Sequence, residues 1–512
     1  MREQLLASDT PLPLVQIPAR QLWLAAAFVF SVTLIAWAPM CSLYVPVVDD
    51  MVLRHLLDHG IGWYARENLR AHGAWRYLGL LMMSAGARHT ALYGPVAVLA
   101  HATVSVLYLF TCCRLLGNLS VSLILTVFFA AFPMAAGAVS WAAAGNLVAM
   151  EALFLLALLI FCRFGFERRY RLPCLLASFL VTLLAQFVQE NLLFAFAALG
   201  TMVWISGKGK GSLARNIREV VVSRYCGFGP MLGVLVFLVC YKLLPATAPI
   251  KKVIFHPASA ISPLLRQYAL LWFAGLWRSS TTRELLFWGW HWWMTVLAAI
   301  AGAGATWALV GLVRTPAALP SAGGDAAGAS RPSPSLLGYL LVLLLGASAI
   351  YAAAGGYSLD SRKRYPLLPI MLWIAGWIWC YALSRGRAAA RPRAVRWSAI
   401  PITLAAVIGI PSTWLYLDVW RYECHRQQLM VDFCLRHHVT GPVQIQWVPD
   451  IYQAWPHAAS DWQFRLDEQW VLDLTFEGLG HQHLISAPGG APVILRYDPK
   501  SDAWEMRPST GP

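Results

Sequence analysis

Two adjacent carboxylates, Asp49 and Asp50, stand a few residues beyond the first long apolar run, in the stretch YVPVVDDMVLRHLLDHG. Charge at the edge of an apolar segment is costly to hold, so a pair in succession needs a reason. Capping is one: Asp is a preferred helix N-cap and favours the positive end of the helix dipole, here for a helix beginning near Met51. A cap needs one carboxylate. The other is then available to take a proton from an attacking hydroxyl, the work of a general base. The pattern leaves open which of the two has which role.

Groups of opposite sign recur further on. Arg76, Lys251 and Lys252, and the triplet Arg362, Lys363 and Arg364 in SLDSRKRYPLL could hold a phosphate or stabilise negative charge on a departing group. Anchoring to anionic lipid headgroups is the plainer use of the same cations. Glu190, in LLAQFVQENLLFAF, sits at the end of an apolar run, where an ionisable residue either binds substrate or pairs with another charge. His55 and His59, like His481 and His483, lack the further ligands of a zinc site and read as surface histidines.

Composition dictates what must position these residues. Of 512 residues, 58% are hydrophobic and 13% charged, with 24 Trp, more apolar matter than a soluble domain can hide. Apolar runs of about 17 to 25 residues, each able to cross a hydrocarbon core, recur along the chain. The expected fold is an all-α polytopic membrane protein of about eleven transmembrane helices. They are placed near Leu22 to Met40, Tyr93 to Cys113, Leu119 to Val139, Leu147 to Cys162, Leu172 to Val188 and Leu192 to Ile205. The rest are near Phe228 to Leu244, His291 to Val313, Leu336 to Ala354, Leu367 to Leu383 and Ile400 to Leu417. The first reads as a signal anchor, because it is full length and lacks a small-x-small cleavage site.

Arginines alternate between loops. With the N-terminus cytoplasmic, Arg114, then Arg163 to Arg171, then Lys208 to Arg224, and finally Arg385 to Arg396 fall inside by the positive-inside rule. The net charge of +15 is therefore mostly topogenic, and no basic-aromatic pattern for nucleic acid is present. The loops 43–92 and 245–290, the hairpin Tyr357 to Pro366 and the tail from Asp418 to Pro512 are expected outside. In domain terms, residues 1–314 form an N-terminal transmembrane block, 315–335 a flexible Ala/Gly/Pro/Ser cytoplasmic linker, and 336–417 a C-terminal transmembrane block. Residues 418–512 form a small periplasmic α+β module. Within it, QIQWV, WVLDLTF and PVILRYDPKSDAWEMRP are strand candidates, the last as two strands around a turn. Cys424 and Cys434 lie ten residues apart on a helical pattern, about 15 Å along the axis, so they are not expected to pair.

In the first external loop, Val52, Leu53, Leu56 and Leu57 recur at helical spacing opposite Arg54, His55 and Asp58, the pattern of a helix lying in the membrane interface. This order, VVDDM just past the first span, interfacial helices, then WRYLGLL before the second, resembles GT-C class membrane glycosyltransferases. Protein O-mannosyltransferases, oligosaccharyltransferase subunits and the aminoarabinose transferases of lipid A belong to that class. The likeness continues through AAFPMAAGAVSWAAAGNLVAMEALFLLALL and LLAQFVQENLLFAF, over about the first 210 residues, in layout more than identity.

The resemblance implies a GT-C fold and transfer of a sugar from a polyprenyl-phosphate donor to a glycolipid, polysaccharide or protein acceptor. The setting it implies is the outer face of a bacterial inner membrane. Asp49 or Asp50 would be the base, and Arg362 and Arg364 would contact the lipid phosphate. Two departures stand out. The turn after the third span reads WAAAGN with Asn146 and no carboxylate, and the fifth span ends Gln189-Glu190 where relatives carry Lys-Glu. A divalent metal thus lacks a second acidic motif to hold it, and the cofactor is left unknown. The rivals are a transporter or flippase for a lipid-linked glycan and a non-catalytic scaffold of a cell-envelope polysaccharide assembly complex. A transporter needs charged or polar residues near the bilayer midplane, whereas this chain is expected to concentrate its ionisable groups at the external ends of spans.

Overall fold

The computed structural model describes residues 17–43, 60, 62–63, 77–132, 137–164, 168–189, 197, 228–243, 334–353, 365–385, 399–439, 443–446, 493–498 and 501–507. Most of them are helical. Helix α1 spans Ala19–Trp37 and is followed by a single turn, Met40–Leu43. Then come α2 (Tyr77–Arg88), α3 (Thr90–Leu116), α4 (Leu119–Ala131), α5 (Gly145–Phe164) and α6 (Arg171–Val188). Further along are α7 (Gly229–Leu243), α8 (Pro334–Ala353), α9 (Leu367–Arg385) and α10 (Ala399–Arg436). Of these, α1, α3 and α6 are long and apolar enough to cross a membrane, with further apolar stretches within α4, α5, α7, α8 and α9. The expected spans from Leu192 to Ile205 and from His291 to Val313 lie outside the described residues.

Local sequence explains the junctions. Gly117 closes α3 in the left-handed region at φ 64°, a conformation that a side chain would strain, and its amide donates to the Cys113 carbonyl at 3.1 Å. Asn118 at once caps α4, its side chain accepting from the Val121 amide at 3.1 Å. The third apolar run reaches to Val139, yet α4 stops at Ala131. Phe132 is extended, as the residue before a proline is driven to be, and Pro133 cannot continue the ladder. The segment then resumes as separate turns at Gly137–Ser140 and Ala142–Ala144.

Helices α1, α3 and α4 pack together, with α5 on α3, α6 on α5 and α7 on α6, while α9 and α10 close on α4. Hydroxyls buried among them bond back along their own helices: Thr33 to the Val29 carbonyl at 2.8 Å, Ser105 to His101 at 2.9 Å, Thr126 to Ser122 at 2.7 Å. That leaves no polar atom of theirs facing the apolar interior unmet. The outside of the bundle is the reverse of a soluble surface. Leu172, Leu176, Leu180 and Leu184 form an exposed stripe on α6, and Leu232, Leu235, Leu238 and Val239 another on α7, surfaces suited to hydrocarbon.

The last helix continues past its apolar segment into the tail and carries both Cys424 and Cys434. Cys434 is a free, buried thiol that burial pushes up to about 12. Beyond it, β1 (Val443–Gln446), β2 (Val493–Asp498) and β3 (Ala503–Arg507) form a sheet in the order β1-β2-β3. Strands β2 and β3 are the antiparallel hairpin expected around the Pro-Lys-Ser-Asp turn, and β1 pairs parallel to β2 in register Val443 to Val493. Met430 and Cys434 of α10 pack on Val443, Leu495, Tyr497 and Trp504 of the sheet. WVLDLTF lies outside the described residues.

One polar cluster ties helix to hairpin. Asp502, in the left-handed region at φ 51°, accepts from the Tyr497 hydroxyl and bonds His425 Nε2 of α10 at 3.0 Å. The Tyr497 bond, then the His425 bond, hold its carboxyl below the usual Asp range. A depressed folded-state pKa stabilises above the usual carboxylate range, and that stabilisation is lost as pH falls through the lowered value. Acidification should therefore lower the protection of the β2–β3 amides in the wild type, measured as hydrogen exchange relative to the intrinsic rate at each pH. In Asp502→Asn these amides should already exchange faster at neutral pH and respond less to acid. Identical profiles for the two proteins would deny Asp502 this role.

Candidate functional site

All the residues singled out from sequence, Asp49, Asp50, Arg76, Glu190, Lys251, Lys252, Arg362, Lys363 and Arg364, lie outside the described residues. Their nearest described neighbours in sequence are placed, except around Lys251 and Lys252, and they gather at one end of the bundle. The turn Met40–Leu43, preceding Asp49, packs on α3, the helix that begins at Thr90. Helix α2 begins next to Arg76 and presses on the C-terminal end of α6, whose next residues are Gln189 and Glu190. The contact is through Gly79, where any Cβ would overlap the Val188 carbonyl, so only glycine permits the approach. Gln189 accepts from the Asn146 amide at the start of α5. Tyr93, near the start of α3, donates to the Val139 carbonyl at 3.1 Å. These bonds assemble the ends of α2, α3, α5 and α6 into one cap.

About two turns below that cap lies a buried polar and aromatic layer. His101 of α3 shares a hydrogen bond of 2.6 Å between its Nδ1 and the hydroxyl of Tyr365, the first described residue after the Arg362-Lys363-Arg364 triplet. Its ring stands 5.3 Å from those of Trp37 and Phe129. Trp37, at the end of α1, donates to the Ala130 carbonyl at the end of α4, 2.9 Å away. The ends of α1 and α4 and the lead-in to α9 thus meet around one imidazole.

About two turns deeper along α3, the Tyr108 hydroxyl donates to the Pro369 carbonyl at 2.9 Å, and its ring stacks on Trp373 at 5.4 Å. The Trp373 indole donates to the Cys112 sulfur at 3.1 Å. Bonds from α3 to α9 at two levels fix the start of α9, and so the anchor point of the basic triplet's chain.

Glu151 of α5 belongs to the same region. It is wholly buried, and neither carboxyl oxygen has a hydrogen-bond partner among the described residues. Its carboxyl is in electrostatic range of Tyr108 and Tyr365, without a hydrogen bond to either. The sequence reading placed ionisable groups at the external ends of spans, and His101 and Glu151 show that others lie within the bundle. The signal was present: one imidazole inside AHATVSVLYLF and one carboxyl inside NLVAMEALFLLALL are expensive substitutions in an apolar run, and expensive residues there are seldom incidental. Among the described residues, no three His, Cys, Asp or Glu side chains gather as metal ligands would.

Comparison of the chain with protein-family models, with curated proteins and with solved structures finds no match.

Proposed function

We propose that the chain is a membrane glycosyltransferase of GT-C type that moves a sugar from a polyprenyl-phosphate donor to an acceptor on the outer face of a bacterial inner membrane. One observation carries the reading: the chain meets the neighbours of Asp49, Arg76, Glu190 and Arg364 at one end of a helical bundle, close to a polar layer. Four stretches far apart in sequence thereby leave the same half of the bundle, three from the cap and the fourth from the layer about two turns below it. The first supplies carboxylates, the second and fourth cations, and the third a carboxylate, the groups that a transfer from a lipid phosphate asks for. About eleven spans, a cytoplasmic N-terminus and a periplasmic C-terminal module complete the proposed topology.

Asp49 or Asp50 takes the proton of the acceptor hydroxyl as that oxygen attacks the anomeric carbon. The bond from that carbon to the donor phosphate oxygen breaks, and polyprenyl phosphate leaves. Arg362 and Arg364, with Arg76 and the lysines Lys251 and Lys252 in support, stabilise the phosphate; Lys363 adds charge without the fork of a guanidinium. Purified protein incubated with a panel of polyprenyl-phosphate sugars should release free polyprenyl phosphate with at least one of them. Release with none, from folded protein, would end the reading. Replacing Arg362 or Arg364 by Gln should weaken donor binding by about 1.5–3 kcal/mol, the worth of one charge-assisted hydrogen bond, and leave the melting temperature unchanged. Unaltered donor affinity would return the triplet to headgroup anchoring.

A second reading, a transporter or flippase for a lipid-linked glycan, is favoured by one observation, the ionisable pair Glu151 and His101 inside the bundle. It predicts movement of a lipid-linked glycan across a vesicle bilayer with no polyprenyl phosphate released.

A further inference from the structure

The least explained group in the described structure is the Glu151 carboxyl. It lies in the seventh position of α5, about 9 Å below the helix start, with no surface open to solvent. Neither oxygen accepts a hydrogen bond among the described residues, and a buried polar group left unmet is rare enough in proteins to require an account. His101 is also buried; its Nδ1 is bonded to Tyr365, and its Nε2 has no well-formed hydrogen bond among the described residues, with only the Ala130 backbone in range.

The surroundings narrow the choice of ligand. Of the elements packed on α5, α3 carries Tyr108, which senses the Glu151 carboxyl electrostatically, as does Tyr365 in the turn before α9. Helix α2 carries Tyr77 and Arg88, α6 carries Arg171 and Cys174 at the opposite end of the bundle, and the turns Gly137–Ser140 and Ala142–Ala144 carry no titratable side chain. No cation opposes the carboxyl among the described residues. An ionised, unopposed carboxylate there would bear a desolvation cost with nothing to offset it. A metal ion would need several oxygen ligands, and a sugar would need space, but both oxygens are fully buried. The ligand that needs no room is a proton.

We propose that Glu151, together with the Tyr365–His101 pair, forms an intramembrane proton-binding site. A proton bound from water as the cap end of the bundle opens converts carboxylate to carboxylic acid; it returns to water when the site opens again. The site stands apart from the glycosyl-transfer reading and requires no donor.

Infrared difference spectra of the full-length protein in lipid nanodiscs, recorded across a pH step, test it. The expected signal is a carboxylic acid carbonyl band that changes with pH and shifts to lower frequency in heavy water. It should be lost in Glu151→Gln, shifted in Tyr365→Phe and unchanged in Asp49→Asn. Should Glu151→Gln fail to fold, Tyr365→Phe decides, because among the described residues Glu151 is the carboxyl that this hydroxyl senses. A wild-type protein without such a band, or a band that persists in Glu151→Gln or keeps its frequency in Tyr365→Phe, overturns the proposal.

Discussion

Asp49→Asn and Asp50→Asn, made singly, should leave expression and melting temperature almost unchanged while at least one lowers sugar transfer by roughly 10² to 10⁴, the usual contribution of a general base. The substitution separates the two readings of the pair because Asn caps a helix about as well as Asp but cannot accept a proton. Loss of activity with stability intact therefore reports chemistry, and loss of stability reports capping. The comparison needs the donor that gives turnover with the wild type, read as polyprenyl phosphate released per unit time. If both variants transfer normally, the carboxylates are a cap, and the glycosyltransferase reading loses its principal support in the sequence.

Trp373→Ala should cost about 3–5 kcal/mol of stability, the range for removing a fully buried large aromatic side chain. Trp373 has no exposed surface, stacks on Tyr108 and donates to Cys112, so truncation leaves a cavity between α3 and α9 together with an unmet sulfur. Trp373→Phe keeps most of the volume and loses only the indole hydrogen bond, and should cost about 1 kcal/mol. Because α9 is held to α3 here and at His101, the Ala variant should also loosen the Tyr365 end, seen as faster hydrogen exchange at the start of α9. A melting curve of Trp373→Ala that overlays the wild type would show that this contact does not hold the two helices together.

Much of the fold was legible because helices and hairpins are local. Gly117-Asn118 marks the end of one helix and the start of the next in two residues, and the strands around Pro499 to Asp502 are joined by a short turn. Pairing of β1 with β2 was not legible: Val443 and Val493 are separated by a long stretch of chain, and parallel pairing leaves no turn to read. The early end of α4 was foreshadowed by Pro133, but an apolar run continuing to Val139 outweighed one residue. Glu151 and His101 escaped for the converse reason. A window average is dominated by leucines and alanines, so a single ionisable residue barely alters it, although that residue is the one the bilayer penalises.

The cap of the bundle was legible only as separate pieces. Nothing local relates Gly79 to Val188 or Asn146 to Gln189. These contacts come from packing between helices distant in sequence, which a single chain without relatives to compare does not disclose.

Helix α10 runs without a break for 38 residues, about 57 Å at the rise of an α-helix. Towards its middle Thr413 and Trp414 bond the Ala131 and Ile35 carbonyls, and near its C-terminal end Met430 and Cys434 sit in the core of the sheet. The stretch between these two attachments is a strut clamped at each of them, with no swivel between. Rocking the bundle attachment by about 5° would carry the end of the helix, about 34 Å on, through about 3 Å, so small motions among the spans are amplified at the tail, and force applied to the tail reaches α1 and α4 directly.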